Sequence, residues 1–176
     1  MTGLSSSARP TADAAGGRDM VTFRLGGELL ALPTGILREI LEPVRTTRVP
    51  NAPDFAPGLI NVRGAVVPLA DLRVPLRMPR PPADEHTRIM VVELVLNEIP
   101  SVVGILAERV HEVTSIDDAA LEDLPGVGTT WPPQFVIGIG RWQDSFVMLP
   151  DLDAIFSAHL AGESGAQPTS GKDCLP

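Results

Sequence analysis

The chain has 176 residues, of which 44% are apolar and only 4% aromatic, and it contains no Tyr. Because 22 acidic residues outnumber 14 basic ones, the net charge is -8, which argues against binding to a nucleic-acid backbone. The single cysteine, Cys174, excludes an intrachain disulfide and a cysteine metal cluster, and a reducing cytoplasm is the expected compartment. Residues 1–18 lack an apolar run long enough for a signal sequence or a membrane span, so we expect a disordered tail and no membrane insertion.

The first ordered element is predicted to be a β-hairpin. Residues 21–25 alternate between apolar and polar side chains, meet Gly26-Gly27, and the apolar pattern resumes at residues 29–32. Two short strands around a pair of glycines are typical of a hairpin with a two-residue turn.

The stretch after the hairpin is predicted to form a short helical turn that begins at a capping Thr34. Its spacing directs Leu37 and Ile40 toward the core and leaves Glu39 exposed. Three prolines between residues 46 and 57 remove backbone donors, and they predict an extended surface loop.

A sequence echo indicates two similar halves. Residues 58–72 recur in outline 80 positions later as residues 138–152, with matching glycines, apolar runs and Asp-Leu endings. In the first copy, residues 59–62 and 65–69 are predicted to be strands joined at Arg63-Gly64. Gly64 can adopt a positive φ, so Arg63 is expected at the tip of this hairpin.

The second half is predicted to repeat the first. A proline-rich stretch, residues 74–83, is expected to join the halves. A strand beginning at Arg88 runs to residue 96, and its partner at residues 102–106 follows a turn at Asn97-Glu98.

The rest of the chain is predicted to close the second unit. Asp117 is expected to cap a brief helix, and residues 135–139 and 145–149 are predicted to be strands. Residues 151–160 carry apolar side chains at helical spacing, which predicts a C-terminal amphipathic helix. Many short strands punctuated by Gly and Pro favour a mostly β fold of two closed sheets, each with about five strands.

The predicted organisation is one domain over residues 19–159 with a disordered tail at each end. Its parts are barrel 1 at about 19–83, barrel 2 at about 84–150, the C-terminal helix at about 151–160, and tails at 1–18 and 161–176.

The chain offers few candidates for catalysis. Asp71 and Asp151 follow apolar strands at equivalent positions, and a hydrolytic or small-ligand site would pair them. The interpretation that we favour is that each carboxylate caps a helix end. His86, His111 and His159 have no carboxylate at ligand spacing and are expected at the surface or at an interface. With no nucleophile, phosphate-loop or dinucleotide motif, we expect no enzyme, cofactor or metal site.

Three large side chains leave two interpretations open. The guanidinium of Arg63 could donate to backbone carbonyls within the protein or to a carboxylate of a partner. Trp131 and Trp142 could fill the core or anchor an interface, and the scarcity of other aromatic residues favours partial exposure.

Several of these segments together resemble the CheW family of chemotaxis coupling proteins. The resemblance covers about residues 20–158, with Val62 in place of the usual Leu and Glu108 where Asp is more common. The matching segments are Pro50 to Phe55, Gly58 to Gly64, Val66 to Leu69, Asp71 to Arg73, Val103 to Leu106, Val110, Glu112-Val113, and Leu149 to Ile155.

The resemblance implies two Src-homology-3-like five-stranded barrels packed side by side, without catalytic activity. It also implies a cytoplasmic adaptor at receptor arrays that links chemoreceptor signalling tips to the regulatory domain of a CheA-type histidine kinase. Couplers of pilus-motility, surface-sensing or developmental pathways share the same features. The receptor-binding residues that the resemblance implies are Leu37, Glu39, Gly58, Asn61, Val62 and Arg63.

Overall fold

The structure is a computed structural model that describes residues 17–160. Residues 1–16 and 161–176, which the sequence assigns to disordered tails, lie outside the described residues. The first strand begins two residues before residue 19, where the sequence predicts the domain to start. Gly17 and Arg18 belong to the first strand, where they pair with Asp117 and Ile116.

Within residues 17–160 the chain forms eleven strands, one α-helix and three short 3-10 turns. The predicted mostly β fold with two sheets and a C-terminal helix is therefore confirmed. The elements are β1 (Gly17–Leu25), β2 (Glu28–Pro33), β3 (Leu37–Leu41), β4 (Thr47–Arg48), β5 (Gly58–Val62), β6 (Ala65–Ala70), β7 (Arg88–Leu96), β8 (Ile99–Ala107), β9 (Arg109–Asp117), β10 (Val136–Trp142), β11 (Ser145–Pro150) and α1 (Leu152–Leu160).

The strands form two sheets with the same internal order. The first sheet, which we call barrel A, has the order β10-β11-β2-β1-β9, and the second, barrel B, has the order β3-β7-β8-β6-β5-β4. Barrel B therefore has one strand more than predicted, the two-residue β4. Each sheet contains one parallel contact, β11 with β2 in barrel A and β6 with β8 in barrel B. The two sheets are thus related strand by strand.

The assignment of one barrel to each half of the chain is wrong. The hairpin β1-β2 of the first half lies in barrel A with β9, β10 and β11 of the second half. The hairpin β7-β8 of the second half lies in barrel B with β3 to β6. The halves are true repeats, but they exchange hairpins, because the segment after each hairpin crosses to the other sheet.

The sequence predicts three of the four two-residue hairpin turns, those at Gly26-Gly27, Arg63-Gly64 and Asn97-Glu98, but not the turn at Gln143-Asp144. Each turn has two residues with positive φ, as in the type I′ turns that match the twist of antiparallel strands. The φ values are 59° and 82° at Gly26-Gly27, 51° and 86° at Arg63-Gly64, 51° and 65° at Asn97-Glu98, and 44° and 57° at Gln143-Asp144.

The predicted helical turn after Thr34 is largely a strand. Residues Thr34–Ile36 form a 3-10 turn, and the chain then enters β3, which pairs with β7. The Thr34 hydroxyl donates to the Asp19 carbonyl instead of capping a helix. Ile40, predicted to face the core, is 43% exposed. Pairing with the free edge of β7 outweighs the weak helical preference of so short a segment.

The 80-residue echo is also visible in the loops before β5 and β10. The Asp71 amide donates to the Phe55 carbonyl at 2.8 Å, and the Asp151 amide donates to the Phe135 carbonyl at 2.8 Å. The Asp151 carboxylate accepts a hydrogen bond from the Ala154 amide and caps α1, as predicted. Asp71 caps no helix, because a series of turns follows it.

The main core lies between the two barrels and beneath α1. It contains buried residues of β1, β2, β7 and β8 together with Leu152, Ile155 and Phe156 of the helix. Phe55 is 1% exposed, and its ring lies 5.0 Å from that of Phe156. The helix therefore covers the junction of the barrels and joins both repeats into one folded unit.

Candidate functional site

The tip of the β5-β6 hairpin presents Arg63 to solvent. Arg63 occupies the first position of the type I′ turn, and the Asn61 side chain accepts a hydrogen bond from the Gly64 amide at 2.9 Å. Val62, next to the tip, is only 8% exposed and packs inside barrel B. A buried residue on one side and a hydrogen-bonded turn on the other hold the Arg63 backbone in place.

The Arg63 guanidinium is paired with Glu39 of β3. Its Nε atom lies 3.1 Å from Oε2 of Glu39, and its Nη2 atom lies 3.0 Å from the same oxygen. The Arg63 side chain is nevertheless 82% exposed, against 21% for Glu39. The hydrogen bond and the charge of Glu39 raise the pKa of Arg63 above its ordinary value. The ion pair therefore holds the cationic guanidinium of Arg63 at a defined position on the surface.

The other residues expected at a receptor contact lie elsewhere. Leu37 is half-buried and packs against the main core. Gly58 lies at the opposite end of β5, where an added Cβ would be 2.5 Å from Thr46 Cγ2 and 2.7 Å from the Thr47 carbonyl oxygen. The structure thus brings Arg63, Glu39 and Asn61 together near the hairpin tip, whereas Val62 and Gly58 are buried and Leu37 is half-buried.

An open groove runs between the two barrels beside α1, and we call it the inter-barrel groove. Two apolar side chains on its walls are exposed, Val95 by 62% and Ile137 by 54%. Its rim also carries charge of both signs. The lining residues are Arg18, Leu32, Pro33, Ile36, Glu93, Leu94, Val95, Ile137, Pro150, Asp151, Leu152 and Asp153.

Barrel A repeats the geometry of the Arg63 tip with different chemistry. Gln143 occupies the position 80 residues after Arg63, and its side-chain amide donates to Glu112 of β9 at 3.2 Å. Glu112 thus takes the place in barrel A that Glu39 takes in barrel B. The neutral amide of Gln143 carries no positive charge, so the two barrel tips differ in electrostatic character.

Strand β9 of barrel A carries a half-buried histidine. His111 of β9 lies with its ring centroid 6.0 Å from that of Trp142, and its Nε2 atom is buried without a hydrogen-bond partner among residues 17–160. Burial, followed by the charges of Arg24 and Arg109, lowers the pKa of His111 below 6.5. Folded barrel A therefore favours the neutral imidazole.

The lowered pKa of His111 predicts that the protein is less stable at mildly acidic pH. Because the pKa of His111 is lower in the folded state than the ordinary 6.5, the unfolded chain binds more protons below that pH. Stability is then complete above about pH 6.5 and decreases as the pH falls toward the folded-state pKa. Urea unfolding at about pH 7 and about pH 5 should show a smaller decrease for His111→Phe than for wild type. Equal decreases in both proteins would contradict this assignment.

The histidines and tryptophans only partly match the sequence-based expectations. His86 is exposed, but His159 of α1 is half-buried, with ring centroids 4.9 Å from Phe55 and 5.7 Å from Phe135. His159 therefore lies partly within the fold, where its imidazole ring packs on both repeated phenylalanines. Trp131 and Trp142 are partly exposed and pack against core clusters, in agreement with the favoured interpretation.

Sequence reasoning missed the role of Arg73. Its guanidinium is 8% exposed and pairs with Asp71 at 2.8 Å and with Glu108 at 3.2 Å. The Asp71-Leu72-Arg73 motif and the unusual Glu108 are both visible in the sequence. Their contact could not be predicted, because Glu108 lies far from the motif along the chain. The Asp71 carboxylate is thus occupied by Arg73, while that of Asp151 caps α1.

Residues 17–160 contain neither a metal-binding cluster nor a membrane-spanning helix. No group of three His, Cys, Asp or Glu side chains in this part of the chain could hold a metal ion. No helix there is long and apolar enough to cross a membrane.

Known proteins resemble this chain over most of its length. A family model described as the CheW-like domain matches residues 19–159. The chain is 30% identical to the chemotaxis protein CheW of Klebsiella aerogenes, over 90% of this chain and 92% of that protein. It is 28% identical to the protein PilI of Pseudomonas aeruginosa, over 81% of this chain and 74% of that protein.

A solved structure agrees with these sequence relatives. The crystal structure of the scaffolding protein TtCheW from Thermoanaerobacter tengcongensis superimposes with a TM-score of 0.72 at 29% identity. The match covers 85% of this chain and 94% of that chain. Both the sequence match over residues 19–159 and the shared two-barrel architecture show that this chain belongs to the family of CheW-like scaffold proteins.

Proposed function

We propose that this chain is a non-enzymatic adaptor that couples chemoreceptors to a CheA-type histidine kinase in bacterial chemotaxis signalling. Its family membership supports this role, since the relatives are chemotaxis and scaffolding proteins by name. The adaptor would act in the cytoplasm, at the receptor arrays. Signalling by such a protein depends on simultaneous binding of two partners and needs no reacting group.

The single observation that carries the proposal is the exposed, anchored guanidinium of Arg63. Its side chain is 82% exposed while two of its nitrogens donate to Glu39. An arginine that is already ordered loses less side-chain entropy on binding than a free one. Such residues are frequent binding hot spots, because the planar guanidinium donates several hydrogen bonds from one position.

The receptor partner is expected to be helical. The inter-barrel groove offers exposed Val95 and Ile137 between charged rims, which suits the apolar face of an amphipathic helix. A receptor signalling tip is a helical hairpin, so its apolar positions would enter the groove and its acidic positions would face Arg63. Polar matching at the rim gives specificity while the apolar contact gives most of the affinity.

The kinase partner is expected to bind barrel against barrel. The strand ends of a regulatory domain with the same fold would contact the strand ends of this chain. Exposed apolar residues mark where such a contact could form. Val66 of β6 is 70% exposed and Phe146 of β11 is 63% exposed, at equivalent positions of the two repeats. Exposed apolar side chains at matching sites favour contact with a protein that has the same architecture.

A second candidate function is a coupler in a non-flagellar pathway such as pilus motility, surface sensing or development. The observation that favours it is the 28% identity to PilI of Pseudomonas aeruginosa. The two candidates share the adaptor mechanism and differ in the receptors that they recognise.

The adaptor proposal predicts that Arg63→Glu weakens receptor binding by about tenfold or more. The substitution removes the cation and places a second carboxylate beside Glu39, so an acidic receptor surface would be repelled. Isothermal calorimetry with a receptor-tip helical hairpin and, separately, with a kinase regulatory domain measures both affinities. Kinase binding should decrease less than receptor binding, because the kinase contact is expected to be mainly apolar.

Arg141→Glu is the matched control for receptor binding. Arg141 lies near the equivalent tip of barrel A, with its guanidinium 5.4 Å from the centre of the Phe146 ring. This second charge reversal should leave receptor affinity unchanged. Unaltered receptor binding by folded Arg63→Glu would place the receptor contact elsewhere, and binding of neither partner by wild type would reject the adaptor function.

A further inference from the structure

The exchange of hairpins creates two chain crossovers between the barrels. In the first repeat, residues 34–36 link β2 of barrel A to β3 of barrel B. In the second repeat, Glu108 alone links β8 of barrel B to β9 of barrel A. The two crossovers occupy equivalent places in the repeats and mark two equivalent ends of the junction between the barrels.

At the Glu108 end, one carboxylate joins both barrels. Glu108 Oε1 accepts a hydrogen bond from the Gly26 amide at 2.9 Å, at the tip of the β1-β2 hairpin of barrel A. The same oxygen lies 3.2 Å from Nη1 of Arg73, which follows β6 of barrel B. The Glu108 amide in turn donates to the Arg24 carbonyl at 2.9 Å. This single crossover residue thus bonds to the end of each barrel.

Arg73 extends the network to the connecting segment between β6 and β7. Its guanidinium donates to both carboxylate oxygens of Asp71, at 2.8 and 2.9 Å, and to the Pro81 carbonyl at 3.2 Å. Burial lowers the pKa of Arg73, but hydrogen bonds and charges from Asp71 and Glu108 outweigh it and raise the pKa. The Arg73 side chain is buried, so its charge depends on these partners.

The equivalent end of the junction lacks this network. Asp153 occupies the position 80 residues after Arg73, and it is exposed. At this end the crossover is formed by residues 34–36 in place of Glu108. Pro33 and Ile36 line the inter-barrel groove, which is open here. The two ends of the junction therefore differ in charge, with the cation Arg73 at one end and the anion Asp153 at the other.

We propose that Arg73, Asp71 and Glu108 form a latch that closes one of two equivalent clefts between the barrels. The latch holds the β1-β2 hairpin of barrel A against barrel B at that end, so the groove at the other end is the one left open. This inference concerns the chain itself and stands whether or not the proposed receptor uses the groove.

Hydrogen exchange of the full chain, followed by mass spectrometry, tests the latch. In Arg73→Gln, peptides with the Gly26 and Gly27 amides should exchange about tenfold faster or more than in wild type. Peptides that span the Arg63 tip should keep wild-type rates, because no member of the latch contacts them. If Arg73→Gln does not fold, Glu108→Gln should give the same local pattern, since it removes the charge and keeps the size.

Arg38→Gln is the matched control, because Arg38 forms an exposed ion pair with Glu93 at a surface away from the latch. It should leave exchange at Gly26 and Gly27 unchanged. Wild-type exchange at those amides in a folded latch variant would overturn the inference. A uniform increase across both barrels would also overturn it, since it would show general destabilisation in place of local opening.

Discussion

Replacing Phe55 by alanine should lower the free energy of unfolding by about 3–5 kcal/mol, as is typical for a phenylalanine truncated in a packed core. Phe55 is 1% exposed and belongs to the cluster shared by both barrels and α1. Its ring lies 5.0 Å from Phe156 and 4.9 Å from His159, so its loss would leave a cavity under the helix. The hydrogen bond from the Asp71 amide to the Phe55 carbonyl limits how far the backbone at residue 55 could move into that cavity.

Urea unfolding followed by circular dichroism measures this loss. Phe146→Ala is the control, since Phe146 is 63% exposed and its truncation should change stability by about 0.5 kcal/mol or less. A Phe55 variant as stable as the control would show that α1 does not need this ring and that the junction of the barrels is held by other contacts.

Gly58→Ala should cost about 3 kcal/mol, near the upper end of the usual range for overpacking. The new Cβ would lie 2.7 Å from the Thr47 carbonyl oxygen and 2.5 Å from Thr46 Cγ2. The backbone oxygen cannot rotate away, so β4 would have to separate from β5. The need for glycine here comes from the close approach of β4, because φ at Gly58 is not among the positive values.

Gly138→Ala is the matched control, at the equivalent position 80 residues later. Its Cβ would meet the Glu122 carbonyl oxygen at 3.2 Å, so the expected cost is below about 1 kcal/mol. Thermal unfolding and receptor titration of both variants separate two roles for Gly58. Loss of stability in Gly58→Ala supports a packing role, whereas wild-type stability with lost receptor binding would assign Gly58 to the contact.

Local features of this chain were predictable because their causes lie within a few residues. The paired glycines at Gly26-Gly27 and the Arg63-Gly64 step indicate their turns, since the backbone of each must adopt positive φ. The 80-residue echo likewise predicted the equivalent hairpins and the cap at Asp151. The resemblance to the CheW family named Arg63 and Glu39, and the structure places them in contact.

Other features depend on contacts between distant residues. Gly58 and Val62 belong to the same motif as Arg63, yet packing buries both of them, and Leu37 from another segment is half-buried against the core. The contact between Arg73 and Glu108 joins residues 35 positions apart, and neither neighbourhood alone indicates it.

The sequence by itself determined most of the strands, three of the four hairpin turns and the repeat, because hydrophobic alternation and backbone conformation are local properties of the chain. Only the tertiary structure decided which sheet each strand joins. Two equivalent repeats offer the hairpins β1-β2 and β7-β8 equally suitable edges in either barrel. The choice depends on the path of the crossovers, where residues 34–36 and Glu108 carry the chain across, and on the burial shared by both barrels beneath α1.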